Sequence, residues 1–175
     1  DKDGNPISGA TVELNSDLIY KTDGEGRVII KEEDRKDLDS AYLKVTADGY
    51  YSYTDMYFEG VQFGSHTNVK LYRVGEFAVV NVNVDGKDAL NSKATIRTNA
   101  KNKDGSVANI TFSSKIYGEV SKIDIVQNDK ALTANSRKVN SSEYIYTNTY
   151  TASDFTDGDS VYMYVTLKSG KVEKT

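Results

Sequence analysis

Period-two hydrophobic segments, each cut short by a turn, constrain this chain more than any other feature. The clearest is Phe77 to Val84, in which Val80, Val82 and Val84 share one face and Asn81 and Asn83 the other, before Asp85-Gly86 ends the run. Alternation of this kind places one face on a core and leaves the other wet, as in an antiparallel sheet. Similar runs recur at Ala10 to Leu14, Leu18 to Thr22, Arg27 to Lys31, Tyr42 to Ala47, Tyr51 to Phe58 and Asn68 to Tyr72. They are separated by Asn15-Ser16, Asp23-Gly24-Glu25-Gly26, Asp48-Gly49, Glu59-Gly60 and Gly64-Ser65, residue types that tolerate turn conformations. Beyond Val84 the pattern predicts strands at Lys93 to Thr98, Val107 to Phe112, Lys122 to Val126, Lys130 to Ser136, Glu143 to Tyr150 and Val161 to Leu167. In the last of these Val161, Met163, Val165 and Leu167 point inward. The closing residues Lys168 to Thr175 read as a hairpin turn and the start of a final strand. The fold class is therefore all-β, as two tandem β-sandwiches.

The exception is Lys31 to Leu38, charged and without β-branched residues, which reads as a short helical turn or a solvated loop. Arg73-Val74-Gly75-Glu76 is the junction, giving domains 1–73 and 74–175. Charge supports the division: residues 1–73 carry 9 Lys and Arg against 14 Asp and Glu, net −5, whereas residues 74–175 are net +1. About seven strands in about 100 residues give the second domain the size and strand count of an immunoglobulin-like sandwich, without the Cys and Trp of antibody domains.

The order of motifs in the first domain carries a resemblance. D-K-D-G-N-P-I-S-G-A-T-V (Asp1 to Val12), T-D-G-E-G-R (Thr22 to Arg27), L-K-V-T-A-D-G-Y (Leu43 to Tyr50) and V-K-L-Y (Val69 to Tyr72) together resemble the carboxypeptidase regulatory-like domains. These are transthyretin-like sandwiches found beside metallocarboxypeptidases, in outer-membrane receptors and in cell-surface proteins. A strand normally precedes the D-x-x-G-x-P turn in that family. The resemblance therefore implies that a first strand is missing before Asp1 and that the chain is a piece of a longer exported bacterial polypeptide. A related resemblance, to the B-type repeats of Gram-positive collagen adhesins, raises a Lys-to-Asn crosslink. The residues before Gly49-Tyr50 lack the expected Glu and the Lys-bearing strand is absent, so Asn68 is a weak partner for one.

Composition narrows the chemistry. A net charge of −4 and the lack of any Lys/Arg run argue against nucleic acid or an anionic membrane as partner. No apolar run is long enough for a membrane span, and direct insertion is not expected. Without cysteine there is no disulfide, thiolate metal site or thiol nucleophile. The sole histidine, His66, follows Ser65 in a loop with no nucleophile elbow, and a zinc site built on one His is disfavoured. A glycosidase would need two carboxylates fixed across a cleft, which domains of this size rarely build. No catalytic residue is assigned.

Two binding possibilities stay open. Asp1-Asp3-Asn5 and, ahead of it, Asp154, Asp157 and Asp159 gather oxygen ligands in loops, as calcium requires. Turn formation explains the same residues. Tyrosines are numerous, with Tyr50, Tyr51, Tyr53 and Tyr57 in one half and Tyr144, Tyr146, Tyr150, Tyr162 and Tyr164 in the other. An exposed row, with Tyr144, Tyr146, Tyr162 and Tyr164 as candidates, would bind glycan or protein, whereas cross-strand packing is the simpler use of the same residues. The expected function is that of structural spacer or presentation modules of a cell-surface protein, with neighbouring domains of the same polypeptide as partners. The alternatives are an adhesin module and an accessory to a secreted peptidase or glycosidase.

Overall fold

A computed structural model describes residues 1–35, 41–58, 64–92 and 94–175, without the side chains of Glu32, Arg35 and Tyr57. The protein is all-β, with three antiparallel sheets. It divides into two compact units, Asp1–Glu76 and Phe77–Thr175.

The first unit is built on one four-stranded sheet in the order β2-β1-β3-β4, from β1 (Thr11–Leu14), β2 (Leu18–Lys21), β3 (Ala41–Thr46) and β4 (Tyr53–Phe58). Register explains its faces: Val12 pairs with Tyr20 and Val45, and Leu14 with Leu18 and Leu43, so alternate residues gather on one side. That side is the core, with Ala10, Leu14, Ala41, Leu43, Val45, Phe58 and Leu71 buried. Asn15 and Ser16 turn the β1–β2 hairpin with φ of 50° and 67°.

Arg27 to Lys31 and Asn68 to Tyr72 were expected as strands and are not. β1 already has a partner on each side, so the 27–31 segment finds no free edge there and instead runs past the sheet with Ile30 on the core and Ile29 88% exposed. The 68–72 segment contributes Val69 and Leu71 to the core, and at its end the Tyr51 amide donates to the Tyr72 carbonyl. The charged stretch after residue 31 forms a four-residue helix, α1 (Glu32–Arg35); Lys36 to Leu38 and the expected Glu59-Gly60 turn lie outside the described residues. From this helix Asp34 accepts a 2.6 Å hydrogen bond from the Tyr20 hydroxyl. Partial burial first, then that bond and the charges of Asp34 and Glu33, push the Tyr20 hydroxyl up to about 12. Folding thus favours the protonated phenol. The stabilisation it lends is complete below the ordinary tyrosine range near 10 and is lost as pH rises from there towards 12. Burial also raises the Tyr53 and Tyr150 hydroxyls, so an alkaline titration followed by tyrosinate absorbance should show several late-ionising phenols, one fewer in Tyr20→Phe.

Two separated motifs of this unit are one structure. Thr22 Oγ1 accepts from the Ala10 amide at 2.8 Å and donates to the Ile7 carbonyl at 2.6 Å, while Asp23 Oδ1 accepts from the amides of Glu25 and Arg27. The turn ends at Gly26, with φ of 70°, and a Cβ there would stand 2.9 Å from the Ile7 nitrogen and 3.0 Å from Pro6 Cβ. Only glycine satisfies both the left-handed backbone and the close approach. Gly26→Ala should therefore cost about 2 kcal/mol, visible as a lower urea midpoint, from left-handed strain and displacement of Pro6 and Ile7.

The second unit is a two-layer sandwich. One sheet has the order β10-β11-β7-β5-β6 and the other β13-β12-β8-β9. The strands are β5 (Ala78–Val84), β6 (Lys87–Asp88), β7 (Asn109–Tyr117), β8 (Val120–Gln127), β9 (Lys130–Ala131), β10 (Ser136–Asn140), β11 (Ile145–Thr151), β12 (Val161–Leu167) and β13 (Val172–Lys174). A single core lies between the sheets, with Val82, Val84, Ile110, Phe112, Ile116 and Tyr150 from one and Ile123, Ile125, Met163 and Val165 from the other.

Four details differ from the sequence pattern. A register shift between Val79 and Asn81 puts Val79 against the core in place of Val80, as a β-bulge does by adding one residue. Residues 94–98 form no strand, though Ile96 packs on the core, and Lys93 lies outside the described residues. The 130–136 run divides instead of forming one strand: β9 pairs with β8 in one sheet and β10 with β11 in the other. Finally, β7 continues to Tyr117, five residues beyond the expected end.

Ala78 pairs with Tyr117, next to the Gly118-Glu119 turn, whereas Thr175 exchanges two hydrogen bonds with Met163, two residues from the Val161 end of β12. Strands β5 and β12, of seven residues each, span about 23 Å. In the first unit Asp1 Oδ2 is 3.8 Å from Arg73 Nη2 and Lys2 Nζ is 3.3 Å from Glu76 Oε1.

Candidate functional site

Three of the four candidate tyrosines are on two different sheets of the second unit, and Tyr144 is in a turn. β12 carries Tyr162 and Tyr164 on its outer face, opposite in parity to buried Met163 and Val165, with Val126 and Asp124 of β8 as their neighbours. Tyr162 is 41% exposed and Tyr164 half-buried. Lys174 of β13 is paired with Tyr164 and places Nζ 3.5 Å from the Tyr162 ring centroid and 5.9 Å from that of Tyr164. This cation–π contact occupies one face of the Tyr162 ring.

Tyr146 belongs to the core. β11 turns Tyr146, Asn148 and Tyr150 inward, and Tyr146 packs against the buried cluster. Tyr144 precedes that strand with φ of 59°, its ring edge-on to Tyr117 at 5.1 Å. The four therefore do not make one row. Of the first unit's tyrosines, Tyr50 and Tyr53 pack on the core, and Arg73 lies 5.6 Å from the Tyr50 ring centroid; the Tyr57 side chain lies outside the described residues.

Asp154, Asp157 and Asp159 are exposed in and after a short 3-10 turn (Ala152–Asp154). Asp157 accepts from the Thr98 hydroxyl at 2.9 Å and Asp159 from the Asn128 amide at 2.8 Å. Among the described residues no three His, Asp or Glu side chains are grouped so that they could hold a metal ion. In the N-terminal loop, Asp1 Oδ1 accepts from the amides of Asp3 and Asn5, and Asp1 pairs with Arg73.

Several acidic side chains elsewhere hold backbone. Asp85 accepts from the Thr111 amide, Asp88 from the Leu90 amide, and Asp104 from both the amide and hydroxyl of Ser106. Those Ser106 bonds hold the Asp104 carboxyl below the usual carboxylate range. His66 is exposed in its loop.

One groove opens beside the core of the second unit, about 630 Å³ in volume, with Val84, Phe112 and Ile125 on its floor and Thr156 and Ser160 on its rim. At its side Gln127, 5% exposed, donates to the Thr156 carbonyl at 2.9 Å and accepts from the Thr156 amide at 2.8 Å. This residue escaped the sequence reading because its position continues the inward face of β8, where an apolar side chain is the default. Comparison with protein-family models, curated proteins and solved structures finds no match for the chain.

Proposed function

We propose that the chain forms non-catalytic spacer or presentation modules of an exported bacterial cell-surface protein, working with neighbouring domains of its own polypeptide. The observation that carries this reading is the two-layer sandwich of the second unit, whose β5 and β12 strands of seven residues span about 23 Å. A sandwich of that length separates whatever is joined at opposite ends of its strands. The use of Asp1, Asp23, Asp85, Asp88 and Asp104 to hold turns agrees with it, since these carboxylates are engaged by backbone amides. Kinship of residues 1–73 with carboxypeptidase regulatory-like domains is part of the same proposal. Its support is the Thr22 and Gly26 contacts, which join two of the motifs that carry the resemblance.

The test has two readouts. Dyes at positions 77 and 175 should report a fixed separation of roughly the strand length, and the chain should show no saturable binding to surface glycans or extracellular proteins. Saturable binding abolished by Tyr162→Ala with Tyr164→Ala would instead make it an adhesin, the reading favoured by the exposure of Tyr162. With Asp157 and Asp159 engaged by Thr98 and Asn128, calcium is expected to leave the melting temperature where a chelator leaves it. An upward shift in millimolar calcium, lost in Asp157→Asn, would put calcium at that loop.

A further inference from the structure

We infer that the β10 edge of the second unit binds an extended, acidic segment supplied by a neighbouring domain of the same polypeptide, added as one more strand to the sheet β10-β11-β7-β5-β6. The inference rests on the spacer reading and deepens it, by naming how a neighbouring domain docks. Three features of the edge point to that occupant: its open backbone, its charge and its size.

The backbone is open because the chain changes sheets just before it. β9 pairs with β8 at Val126 and Gln127, the chain then crosses, and β10 pairs with β11 from Ser136↔Thr149 to Asn140↔Ile145. Among the described residues no strand pairs with its other side, and all five of its residues are exposed. Arg137 and Val139 stand opposite Asn148 and Tyr146, which β11 turns inward, so both lie on the core side of the sheet. Val139 is nevertheless 61% exposed. An added strand covers that apolar side chain and pairs its own backbone with the outward amides and carbonyls of β10.

Charge selects the occupant. Arg137 lies on the core side of β10 and Lys138 on the outer side, opposite Thr147, and the strand has no acidic residue. Asp124 of β8 is 3.2 Å from Arg137 and 2.8 Å from Lys122, so two cations share that carboxylate and Lys138 adds a third positive charge. Glu143 sits towards the other end, where its carboxylate accepts from the Asn140 side-chain amide. Residues directly opposite in a strand pair interact, opposite charges favourably. An incoming strand is therefore matched when two adjacent acidic residues face Arg137 and Lys138, one on each side of the sheet, and an apolar residue faces Val139. Size selects the source. A five-residue edge buries far less than the ~1,200 Å² of stable complexes between separate proteins. A segment tethered in the same polypeptide meets it at an effective concentration in the millimolar range, where weak pairing suffices.

The experiment titrates the whole isotope-labelled chain with the free peptide T-V-E-E-T-V and, in parallel, with T-V-K-K-T-V, following the backbone amide resonances. The expected result is saturable shifts with the acidic peptide, centred on Ser136 to Asn140, with a dissociation constant in the millimolar range that rises with salt. The lysine peptide produces none. Lys138→Glu, at an exposed position, weakens the acidic peptide about tenfold and lets the lysine peptide bind in its place. No shifts, an equal response to both peptides, shifts centred on β8 instead, or indifference to Lys138→Glu would overturn the inference. Micromolar or tighter binding would overturn the tethered source, since a separate protein could then hold the edge. None of these outcomes decides the spacer reading, which fails on the dye separation or on saturable binding to glycans or extracellular proteins.

Discussion

Replacing Tyr150 with alanine is expected to cost about 3–5 kcal/mol, the range for removing a large aromatic side chain from a packed core. The residue is fully buried, and its ring sits edge-on to Phe112 at 5.7 Å and to Phe155 at 5.9 Å, while Phe112 and Phe155 stack at 6.0 Å. Truncation leaves a void between two sheets that cannot close without moving both. The hydroxyl adds a polar term. Asn148, 6% exposed, donates through Nδ2 to the Tyr150 oxygen at 3.2 Å and to the Ile123 carbonyl of the facing sheet at 3.1 Å. Tyr150→Phe keeps the packing and removes one acceptor, so its cost should be near 1 kcal/mol. Equilibrium unfolding of the two variants separates the contributions. Equal losses would show that the ring packing is not what holds the sheets together.

Leu14→Ala should cost about 2–5 kcal/mol in the other core. Leu14 is fully buried and central, paired with Leu18 on one side and Leu43 on the other. Among the described residues one sheet lies there, and the segments carrying Ile30 and Leu71 pack on its core. If Asp1–Glu76 and Phe77–Thr175 fold as separate domains, calorimetry resolves two transitions, and Leu14→Ala moves one while Tyr150→Ala moves the other. A common shift of a single transition by both variants would mean one cooperative unit.

Turns and strand faces were readable from sequence because both depend on local chemistry. Gly49 and Gly26 adopt φ of 79° and 70°, and the alternation of Val161 to Leu167 reproduces the inward and outward faces of β12 residue by residue. Pairing was less readable, because alternation does not state which edge a strand will find. Arg27 to Lys31 alternates and yet is not a strand, and the 130–136 run contains the point where the chain changes sheets. Val80 looked like core until the bulge moved the register by one.

The candidate tyrosines show the same limit. Tyr146 shares parity with Asn148 and Tyr150, and a polar Asn in that row concealed that it is the inward one. Lys174 covers Tyr162 from a strand whose pairing could not be deduced from composition.

The crossing from β9 to β10 leaves the sandwich with an open flank. Among the described residues β10, exposed at all five positions, is hydrogen-bonded on one side, to β11. Such a strand is a template on which another chain can add. Here it carries Arg137 and Lys138, the former engaged with Asp124 at 3.2 Å. Adjacent positive charges on this edge oppose a second copy of the same strand as a neighbour, and that repulsion weakens as salt screens it.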